Sequence, residues 1–379
     1  MKILLTGGGT AGHVNPALAI ADAMRELDPE TQCLFAASDM PRDKANDLIP
    51  RAGYELRHVH IRGMRRPAVH PANFALPFIM LRSRAQARRL IREFSPDLIV
   101  GTGGFACWPV VAEGAAAGIP TAVHESNALP GKAILQLRHR VDRIFVNFPE
   151  TADRLGLSEG EKDKVIRVGN PVMTGFRAVS REEARRQLGI AEDTVSVLAF
   201  GGSLGASRLN DALTDLADAV AREFPHVRLT FAAGKRDYER TAERLKAGAA
   251  AGCPRIRLLD YIYDMPIQMA AADLVVSRAG AMTVSELSLL GRAAVLVPSP
   301  YVADNHQFRN AQALVRAGAG VCVAEDGLPD GALTQAVLPL LERPSERDAM
   351  GRRLQAEFAC PDANEKIRGE LLRLLRKHR

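Results

Sequence analysis

A chain of 379 residues exceeds the usual size of one hydrophobic core, so two domains are the expectation. Hydrophobic residues at 47% and charged residues at 25% exclude a disordered chain, and no apolar stretch reaches membrane-spanning length. The net charge of +6 suits nucleic acid, anionic lipid or phosphorylated substrates, but one Trp and five Tyr supply no stacking stripe for nucleic acid.

No leader-like segment precedes the first apolar run, which leads us to expect folding in the cytoplasm. Residues 3–5 form a strand-like run that breaks into Gly7-Gly8-Gly9-Thr10-Ala11-Gly12-His13 and resumes as a helical pattern over 17–27. A strand, a glycine turn and a helix in that order expose backbone N–H groups to an anion. The turn lacks the GxGxxG dinucleotide spacing and the Lys-Ser/Thr ending of a P-loop, which disfavours a dinucleotide oxidoreductase and an ATPase. His13 falls in the first turn of the helix, where the dipole keeps an imidazole neutral and able to take a proton; capping its own helix is the competing role.

Next, Phe74, Leu76, Phe78, Ile79 and Leu81 are followed by Arg82, Arg84, Arg88 and Arg89. This apolar-plus-basic segment suits an interfacial helix and, equally, a core helix with a solvated basic face. Apolar runs at 32–36, 98–100, 121–123, 144–146 and 165–168, with a helical pattern at 109–117, give the rhythm of a parallel βαβ sheet. Gly101-Thr102-Gly103-Gly104-Phe105 and His124-Glu125-Ser126-Asn127 each follow a strand, where polar residues of a parallel sheet usually face the ligand crevice. Asn127 suits a sugar hydrogen bond or an Asx turn before Pro130-Gly131, and Glu125 a base, an orienting group or a solvated carboxylate.

Turn-prone Gly169-Asn170-Pro171-Val172 and a polar helix at 181–188 mark the domain junction. The strand rhythm then repeats at 195–200, 227–232, 256–259, 274–276, 294–297 and 321–323, opening with a second glycine loop, Gly201-Gly202-Ser203-Leu204-Gly205-Ala206. The stretch from Ser277 to Glu286 follows a strand and opens a helix running to Leu290. Backbone N–H groups at Ala281, Met282 and Thr283 would face a phosphate there, and Glu286, one turn in, would reach ribose hydroxyls. A Thr283–Glu286 capping box would use the same residues. Asp304-Asn305-His306-Gln307 also follows a strand, and a basic amphipathic helix at 364–379 either caps the second domain or crosses back onto the first. Five scattered cysteines and nine dispersed histidines form no disulfide framework and no metal site, so no metal is expected.

The ordered segments GGGTAGHVNPALAIA, GTGGFACWPV, HESNALPGK, GNPV, GGSLGASRLN, YIYDMPIQMAAADLVVSRAGAMTVSEL and ADNHQFRNA resemble the MurG family of bacterial glycosyltransferases over essentially the whole chain. The resemblance implies an α/β GT-B fold, two Rossmann-like doubly wound domains facing across a cleft. Residues 1–168 would bind acceptor and membrane, 169–355 UDP-GlcNAc, and 356–379 would be a helix crossing back. It implies an inverting transfer of GlcNAc from UDP-GlcNAc to the C4 hydroxyl of MurNAc in undecaprenyl-pyrophosphoryl-MurNAc-pentapeptide (lipid I), giving lipid II for peptidoglycan synthesis, without cofactor. Its partners would be UDP-GlcNAc, lipid I, an anionic membrane surface and other cell-wall synthesis proteins, with no nucleic acid. Its place would be the cytoplasmic face of the cell membrane, as a peripheral protein.

Carried onto this chain, the resemblance places Ser203, Ile262, Ala281, Met282, Thr283, Glu286, His306 and Gln307 on the donor. Thr10, Ala11, Gly12, His13, Gly103, Gly104, Phe105, His124 and Asn127 fall to the acceptor, with His13 or Glu125 as the base. Four positions depart from the family: Ala11 for glycine, Phe105 for tyrosine, Leu204 for glutamine, and Met173 where an arginine often contacts phosphate, so that Arg208 or Arg278 would supply the missing charge. Another inverting GT-B enzyme with a different acceptor, or a GT-B-like UDP-GlcNAc epimerase, is the alternative reading.

Overall fold

The computed structural model describes residues 1–63, 71–202, 206–302 and 305–378. It divides into two compact units, Met1–Met173 with Cys360–Arg379, and Thr174–Ala359. The sequence set the junctions at 168/169 and 355/356. The first shift has a physical cause, because Gly169-Asn170-Pro171-Val172 is buried within the first unit rather than forming a linker. The Gly169 carbonyl accepts a bond from His124 Nε2 (2.9 Å) and the Val172 carbonyl one from Asn364 Nδ2 (3.0 Å).

The first unit is built on seven parallel strands, β1 Lys2–Gly7, β2 Gln32–Ser38, β3 Glu55–Val59, β4 Leu98–Gly103, β5 Thr121–Glu125, β6 Arg143–Val146 and β7 Val165–Arg167, ordered β3-β2-β1-β4-β5-β6-β7. Strands covered on both faces must be apolar throughout, and Ile3, Leu4 and Leu5 of β1 are fully buried. Ile3 and Leu5 join one core cluster with Val14, Ala17 and Ile20 of the helix Ala11–Leu27, whereas Leu4 joins Ile99 and Val111 on the other face. The last helix, Ala363–His378, adds Ile367, Leu371, Leu374 and Leu375 to the first of these clusters. Edge strand β3 was absent from the sequence reading because its exposed Glu55, Arg57 and His58 hide the apolar signal.

The second unit repeats the plan with six parallel strands, β8 Val195–Phe200, β9 Val227–Ala232, β10 Ile256–Leu259, β11 Leu274–Ser277, β12 Ala293–Leu296 and β13 Val321–Cys322, ordered β10-β9-β8-β11-β12-β13. In each sheet the winding reverses once, between β1 and β4 and between β8 and β11. Doubly wound sheets bind ligands at that reversal, beyond the carboxyl ends of the strands. Both glycine loops leave β1 and β8 at these points.

Candidate functional site

In the first unit, the turn after β1 and the turn after β4 interlock. Gly8 N–H donates to the Gly103 carbonyl (3.3 Å), and a Cβ on Gly104 would lie 2.5 Å from the Gly8 carbonyl oxygen. Gly9 takes φ +83°, a left-handed backbone that glycine adopts freely. Ala11 is simply the first residue of the helix Ala11–Leu27, so its methyl group meets no positive-φ constraint. The helix leaves its first amides without helical acceptors, and those of Ala11 and Gly12 bond to no described residue.

His13 is half-buried and doubly tied to β4. Its Nδ1 lies 3.0 Å from the Thr102 carbonyl oxygen, and Thr102 Oγ1 donates to the His13 carbonyl at 2.6 Å. A carbonyl only accepts, so Nδ1 carries the proton and Nε2 keeps its lone pair. Burial lowers the imidazole pKa, against opposition from the Thr102 hydrogen bond and the Asp43 carboxylate. The neutral ring is therefore set to accept a proton at Nε2.

Two other residues read as site groups have different surroundings. His124 is fully buried, bonded through Nε2 to Gly169 and lying near Ser126 Oγ, and burial pushes its pKa down to about 4. It has no surface for an acceptor. The Glu125 carboxylate is buried too: Oε1 accepts from the Asn127 backbone (2.9 Å) and side-chain (3.1 Å) nitrogens, and Oε2 from Gly131 N–H (2.7 Å). It folds the 125–131 loop around itself, an orienting role rather than that of a free base. Asn127 is correspondingly engaged, and its carbonyl accepts from Thr151 Oγ1 at 3.0 Å. Phe105 is exposed and lies against Gly63.

Asp43 was missed by the sequence reading. It lies beyond β2, is buried, and takes Gly9 N–H at 2.6 Å. Its only sequence signal is an acid past the second strand of a βαβ unit, the place from which a dinucleotide fold reaches a ribose.

In the second unit, Gly201 and Gly202 begin the loop after β8, and the helix Ser207–Glu223 follows it; Ser203 and Leu204 lie outside the described residues, as does Asp304. Across the reversal, β11 leads through Arg278, Ala279 and Gly280 into the helix Ala281–Leu290. Gly280 is its N-cap, so Thr283 sits inside the first turn and the Thr283–Glu286 capping box does not form. Ala281, Met282 and Ile262 are buried and Thr283 half-buried. Glu286 is buried with no hydrogen-bond partner among the described residues, and desolvation raises its carboxyl pKa to about 8. Arg278 is not available as a phosphate ligand: it pairs with buried Glu325 at 2.5 Å and donates to the Val297 carbonyl at 3.0 Å. Arg208 is exposed, at the second residue of its helix. His306 opens the helix His306–Arg316, and Gln307 Oε1 accepts from Ser299 N–H at 2.9 Å.

The apolar-basic segment forms a 3₁₀ turn, Pro71–Ala75, that carries Phe74, and then the helix Leu76–Phe94, which buries Ser83, Ala87 and Ile91; Phe74, Phe78 and Leu81 are exposed at 80%, 75% and 63%. Its arginines do not form one free basic face. Arg84 and Arg88 both pair with buried Glu113 of the helix Cys107–Ala116, and Arg89 pairs with Glu93 at 2.6 Å. Desolvation disfavours the Glu113 charge, but the two guanidiniums hold its pKa below the ordinary value. Leu76 and Ile79 are half-buried, and Arg82 is exposed with no ion pair among the described residues. No described helix is long and apolar enough to cross a membrane.

Residues 3–146 match the glycosyltransferase family 28 N-terminal domain and residues 196–367 the C-terminal domain of the same family. With its two parallel-sheet units, the chain is therefore a glycosyltransferase of GT-B fold. A crystal structure of Acinetobacter baumannii MurG is similar at 27% identity and a TM-score of 0.76, over 98% of this chain and 99% of that one. A UDP-GlcNAc 2-epimerase from Neisseria meningitidis, solved with UDP-GlcNAc, is similar in fold alone, at 13% identity and a TM-score of 0.66 over 98% of this chain and 100% of its own. The UDP-N-acetylglucosamine–N-acetylmuramyl-(pentapeptide) pyrophosphoryl-undecaprenol N-acetylglucosamine transferase of Acetivibrio thermocellus is 38% identical over 97% of this chain and 96% of its own length. The chain belongs to that transferase family.

Proposed function

We propose that His13 is the general base in an inverting transfer of GlcNAc from UDP-GlcNAc to the C4 hydroxyl of MurNAc in lipid I. Family membership supports the transfer that forms lipid II. The observation that carries the base assignment is the 3.0 Å contact of His13 Nδ1 with the Thr102 carbonyl oxygen, which calls for a proton on Nδ1 and leaves Nε2 to accept. As the C4 oxygen bonds to the anomeric carbon, its proton passes to Nε2, and the bond from that carbon to the β-phosphate oxygen breaks with its electron pair leaving on UDP. General-base assistance of this kind contributes roughly 10²–10⁴-fold.

On the donor side, negative charge grows on the diphosphate, and amides at the start of the helix Ala281–Leu290 would meet it. Preorganised donors of this sort are worth roughly 3–4 kcal/mol each by analogy with oxyanion holes. Glu286 would bind the ribose hydroxyls, and Gln307 with His306 the sugar. The acceptor diphosphate would lie at Thr10, Ala11 and Gly12, with Gly103, Gly104 and Phe105 beside it. Its lipid tail implies work at a membrane surface, for which the family resemblance suggests the cytoplasmic face, and exposed Phe74, Phe78 and Leu81 suit the acyl boundary there.

The test is labelled GlcNAc transfer by the purified protein, with and without a short-chain lipid I analogue, in EDTA. Acceptor-dependent UDP release with a β-1,4 product is expected, and acceptor-independent turnover of UDP-GlcNAc would move the case to the epimerase. His13→Ala should lower kcat by at least about 10²-fold with both KM values little changed. A loss of about tenfold or less would remove His13 from the role of base.

A further inference from the structure

Asp43 belongs to no motif and lies 34 residues from the glycine it holds. Four contacts converge on it and its neighbour. Oδ1 accepts from Gly9 N–H at 2.6 Å and from Ala45 N–H at 3.0 Å, Oδ2 accepts from Ser38 Oγ at 2.5 Å, and Lys44 N–H reaches back to the Gly9 carbonyl at 3.4 Å. Both peptide groups of Gly9 are thus caught by residues 43 and 44. A Cβ on Gly8 would lie 2.7 Å from Asp43 Oδ2, so the carboxylate fits against the turn only because Gly8 has no side chain.

One consequence follows for an anion at this loop. The Gly8 and Gly9 amides are already bonded, to the Gly103 carbonyl and to Asp43, and so are closed to a phosphate. Ala11 and Gly12, at the positive end of their helix, remain open.

We propose that Asp43 is the positioning residue of the acceptor site: it pins Gly9 in its left-handed turn and directs the acceptor's diphosphate to the amides of Ala11 and Gly12. This rests on the reading of the first glycine loop as the acceptor loop. Asp43 touches no reacting atom; it acts through the backbone of the turn.

An asparagine at 43 separates shape from charge. Its side-chain oxygen accepts from Gly9 and Ala45, and its amide donates to Ser38 Oγ, whereas alanine leaves all three groups unpartnered. Asp43→Ala should raise KM for the lipid I analogue about tenfold or more, the loss of one well-placed charged hydrogen bond, and leave KM for UDP-GlcNAc within about twofold. Asp43→Asn should restore the acceptor KM to within about threefold of the natural protein. An unchanged acceptor KM in Asp43→Ala, an equal rise in both KM values, or no rescue by asparagine would overturn the proposal.

Should Asp43→Ala fail to fold, Gly8→Ala displaces the same carboxylate and is expected to raise the acceptor KM alone; an unchanged acceptor KM or an equal rise in both there would overturn it too. If the natural protein transfers nothing to lipid I, the acceptor reading fails separately. Calorimetric binding of inorganic pyrophosphate under saturating UDP then decides for Asp43. Binding retained by the Asn form and lost from the Ala or Gly8→Ala form supports the proposal, and equal binding by all overturns it.

Discussion

Glu286 sets up a conflict between stability and donor binding that can be measured. It lies in the helix Ala281–Leu290, buried, without a hydrogen-bond partner among the described residues, and desolvation raises its pKa to about 8 from the ordinary 4.5. The folded value lies above the unfolded one, so the folded chain holds an extra proton between those limits. The stability from this group is fully present below pH 4.5 and is lost as pH rises towards 8. At pH 7 the loss is about 3 kcal/mol, and by pH 8 about 4 kcal/mol, at 1.36 kcal/mol for each pH unit below the folded value.

Glu286→Gln keeps the shape and removes the titration. Denaturant unfolding of the ligand-free natural protein and the variant at pH 5 and pH 8 isolates the term, since the other titrating groups are common to both. The natural protein should lose about 3–4 kcal/mol more than the variant across that interval. Parallel losses would show that the buried carboxyl is solvated or paired, and the reasoning would fail. In the transferase assay, Glu286→Ala should raise KM for UDP-GlcNAc and leave the acceptor KM unchanged, separating the ribose role from a general weakening of the fold.

His124 gives the opposite pH dependence: its folded pKa of about 4 lies below the ordinary 6.5, so stability is present above pH 6.5 and is lost by about 3 kcal/mol as pH falls towards 4. His124→Asn should flatten that acid limb in denaturant unfolding. Gly103→Ala, whose Cβ would lie 2.5 Å from His13 Nδ1 at φ +110°, should lower kcat by about 10²-fold with the donor KM unchanged, as steady-state kinetics would show. Phe78→Ser should weaken sedimentation with anionic vesicles about tenfold or more without lowering Tm, because the ring is exposed. Arg84→Gln should instead lower Tm, because it leaves the Glu113 charge half-paired.

The strands were readable where burial on both faces makes them continuous apolar runs, as at Ile3-Leu4-Leu5 and Leu274-Val275-Val276, and the glycine loops where the strand stops. Edge strand β3 offers no such run. Polar residues at strand ends were harder. In the sequence His13 and His124 both come after apolar runs, but His124 lies within β5, and their environments depend on distant partners, Thr102 in one case and Gly169 in the other. The apolar run before the arginines singled out Phe74, Leu76, Phe78, Ile79 and Leu81, but composition could not show that Leu76 and Ile79 are half-buried or that Arg84 and Arg88 turn towards Glu113, 29 and 25 residues away. Asp43 was illegible for the same reason: a carboxylate in a polar loop looks solvated until the chain returns it to Gly9.

The two units place an acid at equivalent points and use it differently. Asp43, past β2, binds a loop amide directly, whereas Asp237, past β9, accepts from Ser207 Oγ at 2.5 Å, with Asn210 Nδ2 at 3.5 Å, on the helix after the loop. Both carboxylates are thereby drawn inwards, away from the place where a dinucleotide fold presents an acid to a ribose. Neither carboxylate is thus free to take a ribose in the way a dinucleotide fold does, in keeping with the missing GxGxxG spacing of the first loop. One of the two arginines that would supply charge is tied up as well, since Arg278 pairs with Glu325, and Met173 carries no charge; exposed Arg208 is the other. On the proposed reading, phosphate recognition would fall mainly to backbone amides at helix starts, whose strength depends on alignment rather than net charge. Such recognition is screened little by salt compared with exposed lysines and arginines, and it is sensitive to any shift of the turn that aims the amides. Residues that only hold a turn, as Asp43 does, accordingly have direct leverage over substrate binding.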